Sequence, residues 1–172
     1  MIISRVWAMP NKWTFKIKPI KDLLDRYNVG LGWVDPFAGM YSPAEKTNDH
    51  RKECNAKYCL DAVDFALLLN NEIGGCVFDP PYSIHEVKRH YDSLNRKYDF
   101  KKDPTCGFKP VKDIIAKKIK NGGYVISFGW NSNGFGKVRG FKHIEVLLVS
   151  HGGNRNDTIC TVEKKEDKDA KK

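Results

Sequence analysis

Residues 74–83 read Gly74-Gly75-Cys76-Val77-Phe78-Asp79-Pro80-Pro81-Tyr82-Ser83. Cys76 to Phe78 is a short apolar run of the kind buried inside a parallel sheet. Two consecutive prolines cannot continue a sheet ladder, and the residue before each is pushed to extended geometry. The chain therefore leaves the strand as a stiff, extended lip. Asp79 offers an acceptor, the Pro80 and Pro81 carbonyls are held rigid, and Tyr82 offers a flat aromatic face. That set suits a planar group bearing an NH2, of which a base turned out of its stack is one. The same residues also fit an ordinary strand-ending turn.

Working outward, the preceding stretch repeats the theme. Leu31-Gly32-Trp33-Val34-Asp35-Pro36-Phe37-Ala38-Gly39-Met40 is a second apolar strand that ends in Asp-Pro and a small-residue turn, where backbone can approach a ligand. Lys46-Thr47-Asn48-Asp49 is a further short strand with an acid at its carboxyl end, a common ribose partner in doubly wound sheets. Asp61 to Leu69 is a well-buried helix with Asp61 as its N-cap. Before these, Pro19 opens a helix that Ile20, Leu23, Leu24 and Tyr27 continue and Gly30 closes. The loop ahead of it holds Thr14 and Phe15. Beyond the lip, Pro110 to Lys120 is an amphipathic helix ended by Asn121-Gly122-Gly123. Tyr124 to Phe128 is a buried strand, and Gly129 to Gly140 a glycine-rich loop with at most one helical turn. His143 to Ser150 and Asp157 to Glu163 form an antiparallel hairpin. Strands alternating with helices and closed by a hairpin describe an open α/β sheet of mostly parallel strands.

The 172 residues suffice for one domain with a real core. Hydrophobic residues at 41% and charged residues at 30% are ordinary for a globular chain. The net charge of +9 fits an anionic partner or a merely basic surface. Basic groups concentrate in Ser83 to Lys109, where Lys88, Arg89, Arg96, Lys97, Lys101 and Lys102 mix with aromatic residues, as suits a nucleic-acid strand. His85 and His90, in the same insertion, read as surface residues. Five cysteines without Cys-x-x-Cys spacing suggest reduced thiols in a cytoplasmic protein, with no disulfide frame and no metal site. No apolar run approaches the ~20 residues that span a bilayer, and the N-terminus lacks the apolar core of a signal peptide. Residues 164–172 read as a charged, disordered tail.

With these residues in view, the chain resembles the S-adenosylmethionine-dependent adenine-N6 DNA methyltransferases of the small phage and prophage type. Asp79-Pro80-Pro81-Tyr82 matches that family's catalytic Asp-Pro-Pro-Tyr motif, and Asp35-Pro36-Phe37-Ala38-Gly39 is similar to its cofactor motif. The resemblance covers residues 1–163. It implies a Rossmann-like class I methyltransferase fold, a mostly parallel seven-stranded sheet with an antiparallel last strand, as one catalytic domain. It further implies that residues 35–39 line the methionine end of S-adenosylmethionine. Asn48 and Asp49 fall at its ribose, Asp61 and Ala62 at its adenine, and Thr14 and Phe15 at the amino-terminal cofactor motif. The substrate implied is an adenine flipped out of double-stranded DNA. The order, cofactor motif before catalytic motif, excludes the class with the reverse arrangement.

Three features depart from the pattern. The first loop lacks the second glycine that many members have. About a dozen residues separate Asp35 from Asp49, too few for a crossover helix. No separate target-recognition domain is expected within residues 1–163, so specificity is expected to fall to residues 83–109, the 129–140 loop, a second copy of the chain or another protein. Methyltransferases acting on cytosine-N4, on RNA or on a protein amide are the rival enzymes. A non-catalytic nucleic-acid-binding subunit and a plain dinucleotide module are the other rivals.

Overall fold

Seven strands and four helices carry the chain in the computed structural model, which describes residues 1–93, 95, 97–99 and 107–167. The strands are β1 (Ile2–Trp7), β2 (Trp33–Asp35), β3 (Lys46–Thr47), β4 (Ile73–Phe78), β5 (Ile119–Gly129), β6 (Phe141–Ser150) and β7 (Thr158–Lys165). The helices are α1 (Lys18–Arg26), α2 (Ala62–Leu68), α3 (Ile84–Ser93) and α4 (Lys109–Lys118). One sheet results, in the order β1-β6-β7-β5-β4-β2-β3. All its pairings are parallel except those of β7, which runs antiparallel to both β5 and β6. The expected mostly parallel α/β sheet and its closing hairpin are both present.

Burial on two faces explains the near-continuous apolar strands. Along β4, Cys76 and Phe78 point into a cluster with Phe65 and Ala66 of α2 and Val111 and Ile115 of α4. Val77 points the other way, toward Ile20, Leu23 and Leu24 of α1. Each fully buried Phe, Leu, Ile or Val among them contributes about 1.5–3 kcal/mol. Pro19 sits in the first turn of α1, where its missing N–H costs nothing. Asp61 caps α2, its carboxylate accepting from Val63 N at 2.9 Å.

Several expectations need correction. The strand β1 has no counterpart among the strands expected from the sequence. It is an edge strand, exposed at every residue, so no burial pattern marks it. Asn28, at φ 50°, makes the left-handed turn after α1, not Gly30. Helix α2 is less enclosed than its composition suggests, since Leu67 and Leu68 stand 59% and 64% exposed. Asn121-Gly122-Gly123 lies inside β5 and ends no helix. The last strand runs two residues past the expected boundary: Lys164 and Lys165 belong to β7, and Lys165 Nζ donates to Ala116 O at 2.7 Å.

The two site-bearing strands, β2 and β4, touch through a glycine. Trp33 pairs with Gly75, and a Cβ at Gly75 would lie 2.7 Å from the Trp33 ring. Gly75→Ala is therefore expected to displace the indole and lower stability by about 1–3 kcal/mol. Urea unfolding checks this; an unchanged midpoint would show that the ring has room to move.

Candidate active site

The carboxyl ends of β2 and β4 lie side by side, and the chain leaves them in opposite directions, β2 toward β3 and β4 toward β5. Such a switch point opens a crevice. Here it is a cleft of about 590 Å³, within the ordinary range for small-ligand sites. Pro36 and Phe37 after β2, Asp49 to Arg51 after β3, Ala62 of α2, and Asp79 to Tyr82 after β4 all line it. Lys12 and Thr14 close one side, and Glu86, Arg89, His90 and Tyr91 of α3 another.

The Asp79 carboxylate accepts the Tyr82 hydroxyl through a short hydrogen bond and also meets the Thr14 hydroxyl. Burial pushes its carboxyl up to about 6, against the lowering effect of those two bonds. The lip is held from α3: Glu86 Oε2 accepts from Tyr82 N at 2.8 Å. Trp130, at the end of β5, meets the Tyr82 ring edge-on at 5.8 Å.

Asp35 behaves differently. It is wholly buried and off the cleft wall. Its two oxygens accept from Phe37 N at 2.9 Å and Ser42 Oγ at 2.6 Å, which shapes the turn that presents Pro36 and Phe37. Burial pushes its carboxyl to about 8, with Asp79 and Asp49 adding repulsion. Asn48 is also fully buried. Its amide donates to Pro36 O and Leu60 O and accepts from Leu60 N, so it ties loops together. Asp49 does face the cleft, but its carboxylate is engaged by Gly39 N at 3.0 Å and by Arg51 through N, Nε and Nη2. Its pKa is lowered, the Arg51 and Gly39 bonds outweighing burial.

The expected site residues thus divide. Thr14, Pro36, Phe37, Asp49, Ala62, Asp79, Pro80, Pro81 and Tyr82 share the cleft wall. Phe15, Asp35, Ala38, Gly39, Asn48 and Asp61 do not, and serve as its backing. Phe15 packs edge-on against Phe128, and Asp61 caps α2. Of the basic residues, Arg89 lines the cleft, while Lys88 and Lys97 are exposed away from it. Arg96, Lys101 and Lys102 lie outside the described residues. Unforeseen on the wall are His50, Arg51, His90 and Tyr91; His90 is half-buried, not a surface residue. Only adjacency to Asp49 could have signalled His50 and Arg51. Among the described residues, no cluster of His, Cys, Asp and Glu has the spacing to hold a metal, and no helix is long and apolar enough to cross a membrane.

No protein-family model matches the chain, and no curated protein matches it in sequence. Solved structures do match in fold. TrmN from Thermus thermophilus aligns at 14% identity with a TM-score of 0.54, over 87% of this chain and 49% of that one. The N-methyltransferase NodS from Bradyrhizobium japonicum aligns at 7% identity and 0.56, over 87% and 96%. The Burkholderia thailandensis 1,6-didemethyltoxoflavin-N1-methyltransferase, solved with its substrate and S-adenosylhomocysteine, aligns at 8% and 0.50, over 86% and 76%. The chain spans about half the length of TrmN. At these identities the shared property is the fold, which is Rossmann-like and of the class I methyltransferase type.

The buried carboxyls set a pH dependence. Folded Asp35 holds its proton up to about 8, where the unfolded chain, with an ordinary value of 3.8, has lost it. Asp79 acts in the same sense up to about 6. The folded state thus binds more protons, so stability falls as pH rises from about 4 through about 8. Asp35→Asn keeps an acceptor for Phe37 N–H and is expected to flatten that decline. Urea midpoints of both proteins across this range check it, and a wild-type midpoint that does not fall would refute it.

Proposed function

We propose that this protein transfers a methyl group from S-adenosylmethionine to the exocyclic N6 amine of adenine in DNA. The carrying observation is that one cleft gathers the Asp-Pro-Pro-Tyr lip with Pro36, Phe37, Asp49 and Ala62, residues far apart in the chain. The likeness in fold to methyltransferases supports it. So does the fit of the wall to the cofactor: an acid at the β3 end suited to ribose hydroxyls, and apolar Pro36, Phe37 and Ala62 for the uncharged parts. Ribose hydroxyls bound at Asp49 would take the place of the Arg51 guanidinium.

Bound S-adenosylmethionine would supply an electrophilic methyl on a sulfonium. The chain's own part is to present the amine. Adenine's N6 is a poor nucleophile because its lone pair is delocalised into the ring. Acceptance of its hydrogens by the Asp79 carboxylate and the Pro80 carbonyl concentrates that pair on nitrogen. Transfer would form the N–C bond as the donor's S–C bond breaks, and Asp79 would take up the surplus proton. A carboxyl held at about 6 is ionised at pH 7 yet basic enough to take part in that transfer. Tyr82 stacks on the base, and its hydroxyl, which caps Asp79 in the free protein, yields that oxygen to the incoming amine. In-line placement supplies much of the rate. Arg89 at the cleft and the net charge of +9 favour a nucleic-acid strand over a neutral small molecule.

Expression in a methylation-deficient host, with mapping of modified bases in both DNA and RNA, tests the reading; N6-methyladenine in DNA is the expected result. Modification confined to RNA, or no modification from a protein that binds the cofactor, would refute it. Asp79→Ala is expected to cut turnover by about 10²–10⁴-fold, the usual weight of a group that handles the transferred proton, with cofactor affinity kept. Tyr82→Ala loses the stacking face, worth about 1–3 kcal/mol per base, whereas Tyr82→Phe retains it and stays active. Steady-state kinetics on an adenine-containing oligonucleotide separates the three variants.

A further inference from the structure

The strand β1 ends the sheet on the side away from the cleft-bearing strands, with β6 as its one neighbour. Just past it, Ala8 N donates to Ser150 O of β6 at 3.0 Å. Successive residues of an extended chain turn their N–H and C=O groups to alternate sides. The register with β6 runs unbroken from Ile2 to Trp7. Ile2, Ser4 and Val6 therefore bond β6, whereas Ile3, Arg5 and Trp7 turn their main-chain groups outward. Among the described residues, no hydrogen bond reaches those outward groups.

The side chains leave the edge equally open. Met1, Ile2, Ile3, Val6, Trp7 and Met9 are all 36–76% exposed. Sheets ordinarily blunt an edge with charges, a proline, a bulge or a covering element. β1 has no proline and no bulge, and Arg5 is its one charge, with Nη2 donating to Ser150 Oγ at 3.1 Å. An apolar edge with unpaired main-chain groups is a template for a further strand.

The sequence Ile2-Ile3-Ser4-Arg5-Val6-Trp7 complements itself when run antiparallel. Outward residues must face outward residues, so a twofold axis has to pass through a residue. An axis at Arg5 sets the two arginines directly opposite each other, which is unfavourable. An axis at Ile3 leaves Val6 and Trp7 unpaired. An axis at Ser4 joins Ile3 to Arg5 of the other copy through both main-chain bonds. It also packs Ile2 on Val6 of the other copy at the closer spacing of a non-hydrogen-bonded pair.

We propose that β1 is a dimerisation edge, to which a second copy of this chain adds its own β1 antiparallel about a twofold axis at Ser4. The two sheets become one. Because β1 runs in the same direction as β2 and β4, the antiparallel copy points its strand ends the other way, and both clefts stay open. Six strand residues a side is fewer than the ~20–30 residues of a standard interface, and each copy carries a net charge of +9. The dimer is accordingly reversible, with a micromolar dissociation constant, and salt tightens it by screening the repulsion.

Sedimentation velocity of the full chain, from low to high micromolar concentration and at two salt concentrations, tests this. Wild type is expected to pass from monomer to dimer, at lower concentration in high salt. Ile3→Lys places a cation opposite Arg5 of the other copy and is expected to weaken the dimer about tenfold. Ile3→Glu places an anion there and is expected to hold or tighten it. Ile3→Pro removes only an outward N–H and is expected to be folded and monomeric. Ser4→Pro removes an inward one and is expected to lower the urea midpoint. A wild type that stays monomeric throughout overturns the proposal and leaves the edge to a different protein. A folded Ile3→Pro that still dimerises, or equal weakening by Lys and Glu, overturns it as well. Should Ile3→Pro not fold, the Lys and Glu variants decide, since Ile3 is exposed in the single copy and accepts either charge there.

Discussion

The parallel contact between β2 and β4 is the constraint on which the rest depends. Trp33 lies opposite Gly75 and Val34 opposite Cys76. Just before the ladder, Gly74 N donates to Gly32 O at 2.8 Å. Paired glycines allow this approach because no side chain stands between the backbone of one strand and the indole of the other. The register then carries through to the strand ends, where Pro36 and Phe37 emerge beside Asp79 and Pro80. A slip of one residue would turn each strand over, sending Asp79 to the opposite face and separating the two loops. The cleft is thus a consequence of sheet geometry first and of loop chemistry second.

Three acids stand near that junction, and the fold treats each differently. Asp35 is sealed behind the first loop and held by Ser42 and Phe37 N–H, so desolvation dominates and its carboxyl rises. Asp79 stands at the cleft wall and rises less. Asp49 is paired with Arg51 and falls. Repulsion among like charges is thereby kept small: at neutral pH only Asp49, with its own cation, and Asp79 carry full charge. Identical side chains at similar strand ends acquire distinct tasks through burial and partners alone.

How much of this the sequence displays depends on whether a residue's neighbours are local. The lip after β4 and the turn after β2 announce themselves because proline and glycine constrain the backbone wherever they occur. The Asp61 cap is a local hydrogen bond and is read equally well. The amphipathic stripe of α1 is read because burial imposes a period. By contrast, β1 is held by ladder bonds to β6, more than a hundred residues away, and its exposed residues show no period. Position alone suggests ligand contacts for Asp35 and Asn48, whereas both are fully buried and hydrogen-bonded to neighbouring loops. A buried carboxylate and a lining one look alike in sequence, since only the loop above decides which is covered. His90 looks like a surface residue in the sequence because its partner His50 meets it only when α3 folds across the β3 end.

The shortness of the β2–β3 connection shows how such a support arises. A parallel crossover commonly uses a dozen or more residues and a helix; here the ten residues from 36 to 45 make it without one. What a helix would supply by packing must come from elsewhere. Asn48 supplies it, with Pro36 O on one side and both backbone groups of Leu60 on the other. The isolated bridge between Asn48 and Tyr58 extends the two-residue strand β3 by one more step. Because Asn48 is consumed in this way, its neighbours Asp49, His50 and Arg51 are left to face the cleft, fixed at one end by a buried amide. The missing helix and the cleft-facing triplet are therefore two sides of one economy: a short crossover that must be pinned holds the residues next to its pin in place.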